Sequence, residues 1–380
     1  MSQEKVGRDV GQGAVVFGDG DRHWAALQKG KCVGGSVVIQ RSLSPCRRGS
    51  QNGLMKTDAI INGDLADAAN AIRTAEEAGF DGVVSVEISH DPFLPLALGA
   101  AATERVDLMT GIAVAFARNP MNAAVIANDL NRLSNGRFIL GLGSQIKPHI
   151  TKRFSMPWSD PALRMREFVL AVRAIWAAWN EGTPLAFRGD YYRHTLMTPM
   201  FDQGPSECGD PRIFVAAVGP AMTAVAGEVA DGLMAHGFTT PSYLRDVTME
   251  NLSIGLARSN RTRDQVEVTI PIMAAIGSDD AEIAAKATSV RRQLAFYGST
   301  PAYRGVLEHH GWGDVGEELN RLSKLGEWVA MGDLITDEML EQFAVVGDPE
   351  TVKREIHRRF DGVVDRVQMG LSSEALNLRE

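Results

Sequence analysis

The sequence predicts an α/β fold, a (β/α)8 TIM barrel with insertions. From Met55 onward, eight short apolar segments alternate with amphipathic helical segments over roughly 320 residues, which suits a barrel of this class that carries insertions. The alternative is a doubly wound sheet. Its dinucleotide fingerprint, Gly-x-Gly-x-x-Gly, does not follow the first strand, and this favours the barrel.

The barrel strands are predicted from short apolar runs of strand length. In chain order they are Lys56–Ile61, Gly82–Val86, Asp107–Val114, Arg137–Leu142, Ile213–Val218, Gly232–His236, Val266–Ala275 and Val364–Met369. Each run is separated from the next by a longer segment, as the crossover connections of a parallel sheet require.

Helices are predicted between the strands from the 3.6-residue apolar period and from capping residues. The clearest is Pro161–Asn180, which has one apolar stripe that we expect to pack on the sheet. That stripe consists of Met165, Phe168, Val169, Val172, Ile175, Trp176 and Trp179. The other predicted helices are Asp64–Glu77, Asn119–Leu133, Pro220–Ala230, one within Pro241–Ser259, Asp279–Tyr297 and one that begins at Asp348-Pro349.

Segments outside this repeat define the domain limits. Residues 1–54 carry ten glycines and a local charge of +4 without a sustained helical or strand period. We expect a disordered extension or a misassigned start there, with a small ordered cap as the alternative. The barrel domain is predicted over residues 55–371, with insertions near 182–211 and 298–343, and residues 372–380 form a tail.

Composition excludes several classes of protein. The net charge of −8 gives no basic surface for nucleic acid, and no apolar run reaches the length of about 18 residues that a membrane span needs. Cys32, Cys46 and Cys208 are too widely spaced for a disulfide framework or a zinc site. We therefore expect a cytoplasmic protein without a nucleic-acid, membrane or metal partner.

Barrels of this class bind ligands at the carboxyl ends of their strands. Several of these ends contain glycine, as in Asn62-Gly63, Gly141–Gln145 and His236-Gly237, so the backbone can approach a ligand closely. The turn Val218–Met222 leads into a helix whose first N–H groups can bind an anion such as phosphate. The strand ends carry few acidic or basic residues, and the sequence has no hydrolase, metalloprotease or P-loop motif. We therefore expect an organic cofactor to supply the chemistry.

Several motifs in sequence order carry a resemblance to a known family. Thr110–Met121 reads Thr-Gly-Ile-Ala-Val-Ala-Phe-Ala-Arg-Asn-Pro-Met, and Asp129–Gln145 ends in Phe-Ile-Leu-Gly-Leu-Gly-Ser-Gln. With Gly189-Asp-Tyr-Tyr192, Ala216-Ala-Val-Gly-Pro220 and Val346-Gly-Asp-Pro349, the chain resembles the bacterial luciferase-like monooxygenase superfamily over residues 56–371. The resemblance implies a TIM barrel with an insertion, in agreement with the strand count, and a homodimer.

Members of that superfamily use either FMN or the deazaflavin coenzyme F420. At the turn after strand five, FMN enzymes tend to read Gln-Ala-Gly-Ser-Ser and F420 enzymes Ala-Ala-x-Gly-Pro, as Ala216–Pro220 does here. The resemblance therefore implies a coenzyme F420-dependent oxidoreductase that transfers a hydride between the deazaflavin ring and a small organic substrate. The alternatives are an FMN-dependent monooxygenase and a non-catalytic relative that binds cofactor or substrate.

The resemblance also implies which residues bind the cofactor. A non-proline cis peptide is expected at Gly111–Ile112 behind the ring, with a plain glycine bulge as the alternative. The residues after strand four are expected along the ring and ribityl chain, and those after strand five at the phosphate. The full set is Gly111, Ile112, Gly141, Gly143, Ser144, Gln145, Ala217, Gly219, Pro220, Ala221 and Met222.

Three residues are candidates for catalysis. Glu87 matches an acidic position near the ring, and its alternative role is a salt-bridged carboxylate at the barrel rim. In the branch that oxidises glucose 6-phosphate, a His follows that acid and a Glu follows strand four. Ile88 and Ile146 stand at these positions here, so sugar-phosphate dehydrogenation is not expected. His90 and His149 are the candidate proton donors, and their alternative role is to stabilise the loops that carry them. The expected direction of hydride transfer is from the cofactor to the substrate, which reduces an activated C=C or C=O.

Overall fold

The computed structural model describes residues 55–370 and Leu378, and within them eight parallel strands close into a barrel. Each strand pairs with its neighbour in chain order and the last pairs with the first, so the sheet has no free edge. The strands are β1 (Lys56–Ile61), β2 (Gly82–Ser85), β3 (Asp107–Thr110), β4 (Phe138–Gly143), β5 (Arg212–Ala217), β6 (Gly232–Ala235), β7 (Glu267–Pro271) and β8 (Arg366–Gly370). The predicted TIM barrel is confirmed. The segment 1–54, predicted as an extension or a cap, lies outside the described residues.

Helices cover the outside of the barrel and fill the second insertion. They are α1 (Ala68–Glu77), α2 (Phe93–Ala102), α3 (Pro120–Leu133), α4 (Pro161–Glu181), α5 (Pro220–Val229), α6 (Met249–Arg258), α7 (Asp280–Gly298), α8 (Arg304–His309), α9 (Gly313–Leu325), α10 (Trp328–Asp333), α11 (Asp337–Phe343) and α12 (Pro349–Phe360). In the described part of the chain, no helix is long and apolar enough to cross a membrane.

Several helix starts follow the predicted capping chemistry. The Asn119 side chain accepts a hydrogen bond from the Asn122 N–H at 3.0 Å, and Asp348 accepts one from the Glu350 N–H at 3.0 Å. Helix α2 was not predicted, because its sequence from Phe93 is almost wholly apolar and lacks the polar face that reveals a surface helix.

Two predicted strands are each divided in the structure into a barrel strand and a separate short strand. The third was predicted over Asp107–Val114, but β3 ends at Thr110, and Ala113–Val114 forms a separate two-residue strand against β4. The seventh was predicted over Val266–Ala275, but β7 ends at Pro271. Beyond it, Met273–Ile276 pairs in parallel with Ala344–Gly347, outside the barrel. An apolar run does not show where a strand is interrupted or leaves the barrel, so the apolar pattern predicts one long strand in each case.

Apolar side chains form two layers, one inside the barrel and one between the barrel and its helices. The lumen is filled by a small cluster of inward-facing residues, Val84, Met109, Ile139, Phe214 and Met234. A larger cluster lies between the sheet and the helices. Every residue of the predicted α4 stripe belongs to it and is at most 2% exposed, so the prediction that this stripe packs on the sheet is confirmed.

Charged residues close the amino-terminal end of the barrel. Arg366, fully buried at the start of β8, donates to both carboxylate oxygens of Asp58, at 2.6 and 2.9 Å, and to Asp107 at 2.8 Å and Glu267 at 3.1 Å. Arg212 bridges Asp107 and Glu267 at 2.7 and 3.0 Å. Burial raises the pKa of Asp58. In Asp107 the effect of burial is outweighed by Arg212 and Arg366, so its pKa is lowered. This end therefore has a structural role, and the opposite face is left for ligands.

Candidate active site

The junction of β3 and β4 lies at the carboxyl-end face of the barrel. The peptide bond between Gly111 and Ile112 is cis, as the resemblance implied. Thr110 Oγ1 accepts a hydrogen bond from the Gly141 N–H and donates one to the Gly141 carbonyl oxygen, both at 2.8 Å. A Cβ at Gly141 would overlap the Thr110 carbonyl oxygen, and one at Gly143 would lie 2.7 Å from Cγ1 of Ile112. The two glycines therefore allow the strands to approach closely around the cis bond.

Ser144 and Gln145 follow β4 directly and are partly buried. Gln145 has a φ of +57°, in the left-handed region, and its Oε1 accepts a hydrogen bond from the Ile146 N–H at 3.1 Å. This conformation turns the chain sharply away from the strand. The structure thus brings Gly111 and Ile112 against the end of β4, which Ser144 and Gln145 follow, and the contact of these residues with a cofactor stays a prediction.

The turn after β5 presents a helix end without a side-chain cap. Gly219 is the N-cap of α5, and its carbonyl oxygen accepts a hydrogen bond from the Thr223 N–H at 3.2 Å. The N–H groups of Ala221 and Met222 have no acceptor in the described part of the chain. A Cβ at Gly219 would have no heavy atom within 4 Å, so open space adjoins these donors. Unpaired N–H groups at the positive end of a helix dipole fit a phosphate group.

Glu87 lies just beyond β2, and its side chain is 7% exposed. Its Oε2 accepts a hydrogen bond from the Val114 N–H at 2.7 Å and forms an ion pair with Arg118 at 2.7 Å. Arg118 also contacts Asp91 at 3.1 Å. The carboxylate thus fixes the segment that follows the cis peptide. This salt bridge is the alternative role given for Glu87, and its place near the ring stays a prediction.

A hydrogen bond links the loops that carry His90 and His149, the other two candidate catalytic residues. His90 is exposed in the turn after β2, and His149 is exposed at the start of the helical turn His149–Arg153. Arg153 Nη2 donates to the Ile88 carbonyl oxygen at 2.7 Å and so links the two loops. Neither imidazole has a hydrogen bond within residues 55–370, so both are available to a ligand.

One residue at this face was noted in the sequence but given no role. His236 directly follows β6, and its Nδ1 accepts a hydrogen bond from the Phe238 N–H at 3.0 Å. Its ring contacts Tyr297 at 4.9 Å and Tyr303 at 4.6 Å between centroids. Burial lowers the pKa of His236 to about 4. Its position at a strand end was a usable signal, whereas the two tyrosines come from distant segments and could not be placed beside it.

A cavity of about 10 Å³ adjoins His236 at the ends of β5 and β6. It is lined by Ala217, Val218, Ala235, His236, Phe238, Thr239, Tyr243 and Thr248. The Oγ1 atom of Thr239 is buried and has no hydrogen-bond partner in the described part of the chain. A space of this size holds about one water molecule, and the lining includes an unpaired hydroxyl to bind it.

A family model described as luciferase-like monooxygenase matches residues 44–366. The chain belongs to the luciferase-like monooxygenase family. Within residues 55–370 and Leu378, this family member has no group of three or more His, Cys, Asp or Glu residues arranged to hold a metal ion.

Relatives of this luciferase-like chain include proteins named for coenzyme F420. It is 57% identical over 326 residues to the uncharacterized protein Rv1360 of Mycobacterium tuberculosis, covering 85% of this chain and 96% of the relative. It is 29% identical over 309 residues to Rv3520c of the same organism, which carries the provisional name of a coenzyme F420-dependent oxidoreductase, covering 76% and 86%. Among solved structures, the coenzyme F420-dependent tetrahydromethanopterin reductase of Methanopyrus kandleri has a TM-score of 0.71 at 23% identity, covering 86% and 96%.

Proposed function

We propose that this luciferase-like protein is a coenzyme F420-dependent oxidoreductase that transfers a hydride between the deazaflavin and a small organic substrate. The observation that carries the proposal is the uncapped start of α5 at Gly219-Pro220, with two unpaired N–H groups facing open space. The provisional name of Rv3520c supports the choice of cofactor.

The residues at this face fit such a cofactor. Gly219 leaves room for a phosphate, and the N–H groups of Ala221 and Met222 are proposed to bind it, with Pro220 fixing the start of the helix. The cis bond at Gly111–Ile112 and the turn after β4, including Ser144 and Gln145, are proposed to support the ring and the ribityl chain. When bound, a deazaflavin supplies or accepts the hydride, and the protein supplies binding and orientation.

Glu87, His90 and His149 are the proposed catalytic residues. Glu87 is held by Val114 and Arg118, whereas the two imidazoles are exposed and without partners. Each histidine is therefore proposed as a proton donor at the substrate. Full turnover in both His90→Ala and His149→Ala would exclude them.

The cofactor is tested by titrating the full-length chain with oxidised F420 and, in parallel, with FMN, followed by ring fluorescence. Tight F420 binding and weak FMN binding are expected. Gly219→Val should keep the fold, because its φ of −92° suits any residue and its surroundings are open, yet it should weaken F420 binding at least tenfold by filling the phosphate space. The same change at Gly313, at the start of α9 in the insertion, is the matched control.

The opposite titration result has a definite meaning. The matching family model is described as a luciferase-like monooxygenase, so tight FMN binding would favour an FMN-dependent monooxygenase and make oxygen consumption the next assay. Binding of neither cofactor would favour a non-catalytic relative.

We further propose that the protein is a cytoplasmic homodimer. Leu94 and Leu98, one turn apart on the same side of α2, are 52% and 43% exposed, and adjoining exposed apolar side chains form the kind of patch that a second chain can cover. Light scattering after size-exclusion chromatography should give twice the monomer mass, and Leu98→Glu should shift it toward the monomer.

A further inference from the structure

His236 is oriented so that one ring nitrogen is occupied and the other is free. The Phe238 N–H donates to Nδ1 at 3.0 Å, so Nδ1 carries no proton and the neutral ring carries its proton on Nε2. Nε2 has no hydrogen-bond partner in the described part of the chain and is not sealed from solvent. The residue therefore presents a single, fixed N–H donor.

The strand geometry places this donor beside the proposed cofactor site. Met234 belongs to the cluster inside the barrel and Ala235 to the layer outside it, so the alternation along β6 puts His236 on the inner side, above the lumen. Ala217 of β5 pairs with Ala235 of β6, which sets His236 beside Val218. Val218 directly precedes Gly219, the residue proposed to border the phosphate.

The surroundings of His236 select the kind of ligand. Tyr297 and Tyr303 pack on its ring, and the small adjoining cavity, which has room for about one water molecule, is not lined by Lys, Arg, Asp or Glu. Burial keeps the imidazole uncharged at neutral pH, because it lowers the pKa to about 4. A neutral donor among aromatic rings suits an uncharged acceptor, whereas an anion would bind the dipole of α5.

We propose that the Nε2–H group of His236 donates a hydrogen bond to the carbonyl oxygen of an uncharged organic substrate, and that Tyr297 and Tyr303 form the apolar wall beside it. This inference rests on the proposed oxidoreductase function and narrows its substrates to uncharged carbonyl compounds. Two side chains from the second insertion and its preceding helix thereby define part of the substrate pocket.

The test measures binding in the full-length chain without cofactor, using cyclohex-2-en-1-one as the probe. In ¹⁵N-labelled protein the His236 Nε2–H resonance should move in a saturable way as the probe is added. His236→Asn can still accept from the Phe238 N–H but lacks the outer donor, and it should raise the Kd of the probe about five- to tenfold. His236→Gln, which can carry an N–H near the Nε2 position, should recover part of that loss.

His357→Asn makes the same chemical change on α12, outside the barrel, and should leave the Kd unchanged. An unmoved Nε2–H resonance, or an equal Kd in His236→Asn, would show that the inference is wrong even if F420 binds. Failure of F420 to bind while the probe still contacts His236 would instead overturn the proposed cofactor and leave the carbonyl site standing.

Discussion

Removing Arg366 tests the interpretation that the charged end of the barrel is structural. Arg366→Met keeps a side chain of similar length and removes the guanidinium that donates to both oxygens of Asp58. Asp58 is fully buried, and burial already raises its pKa. Without Arg366 it becomes a buried carboxyl group that has lost its main partner.

The expected loss of stability follows from that unpaired group. Removing one member of a buried ion pair typically costs about 3–5 kcal/mol, because the desolvation of the remaining charge is no longer compensated. Arg366 also contacts Asp107 and Glu267, but these keep Arg212, so most of the loss is assigned to Asp58. The double variant Arg366→Met with Asp58→Asn should recover at least half of the loss.

The assay is urea unfolding followed by tryptophan fluorescence, since Trp176 is 1% exposed in the core. Arg321→Met breaks an exposed pair with Glu318 on α9, and as the control it should leave the midpoint unchanged. A loss smaller than about 1 kcal/mol in Arg366→Met, or no recovery in the double variant, would refute the reasoning.

Three further outcomes are expected. Gly141→Ala should prevent accumulation of folded protein, because its Cβ would overlap the Thr110 carbonyl oxygen; normal thermal unfolding would contradict this. Glu87→Gln should weaken the contact with Arg118 and lower stability by about 1 kcal/mol, as judged by melting curves, and an unchanged melting temperature would contradict this. The pKa of His236 is about 4 in the folded protein and near 6.5 in the unfolded chain. The neutral residue's contribution to the free energy of unfolding is therefore complete above pH 6.5, and it is lost as the pH falls towards 4, because the unfolded chain then binds the proton first. The wild type should therefore lose about 3 kcal/mol more than His236→Asn over that range in urea titrations at each pH, and equal losses would show that the pKa of His236 is the same in the folded and unfolded states.

Much of the barrel could be predicted because its strands and helices are encoded by local patterns. The predicted strand Lys56–Ile61 agrees with β1 at both ends, and the Asn119 and Asp348 caps lie where their side chains can bond to the first turn. Helix α2 escaped prediction because its apolar composition hides the helical period. The break in the third strand escaped because the cis bond leaves no composition signal, although the resemblance implied it.

The parts of the site that depend on local backbone geometry could be predicted from the sequence, whereas contacts between side chains of distant segments could not. Gly219-Pro220 marks the start of α5 in the sequence itself, so that corner could be identified. The ion pair between Glu87 and Arg118 spans 31 positions, and the contact of His236 with Tyr303 joins segments that only the fold brings together. Such pairings depend on tertiary packing, which a single sequence does not reveal.

The short sheet formed by Met273–Ile276 and Ala344–Gly347 has a consequence for how this chain can change. The polypeptide leaves the barrel after β7 and returns beside its own exit, and the intervening helices share a hydrophobic cluster of their own with a few neighbouring residues. The segment between these two strands is therefore continuous with the barrel at one place, and it also packs on the loop after β6, where Tyr297 and Tyr303 contact His236. Substitutions in this segment can therefore affect the face at the carboxyl ends of the strands through that loop, without touching the hydrogen bonds between the eight barrel strands.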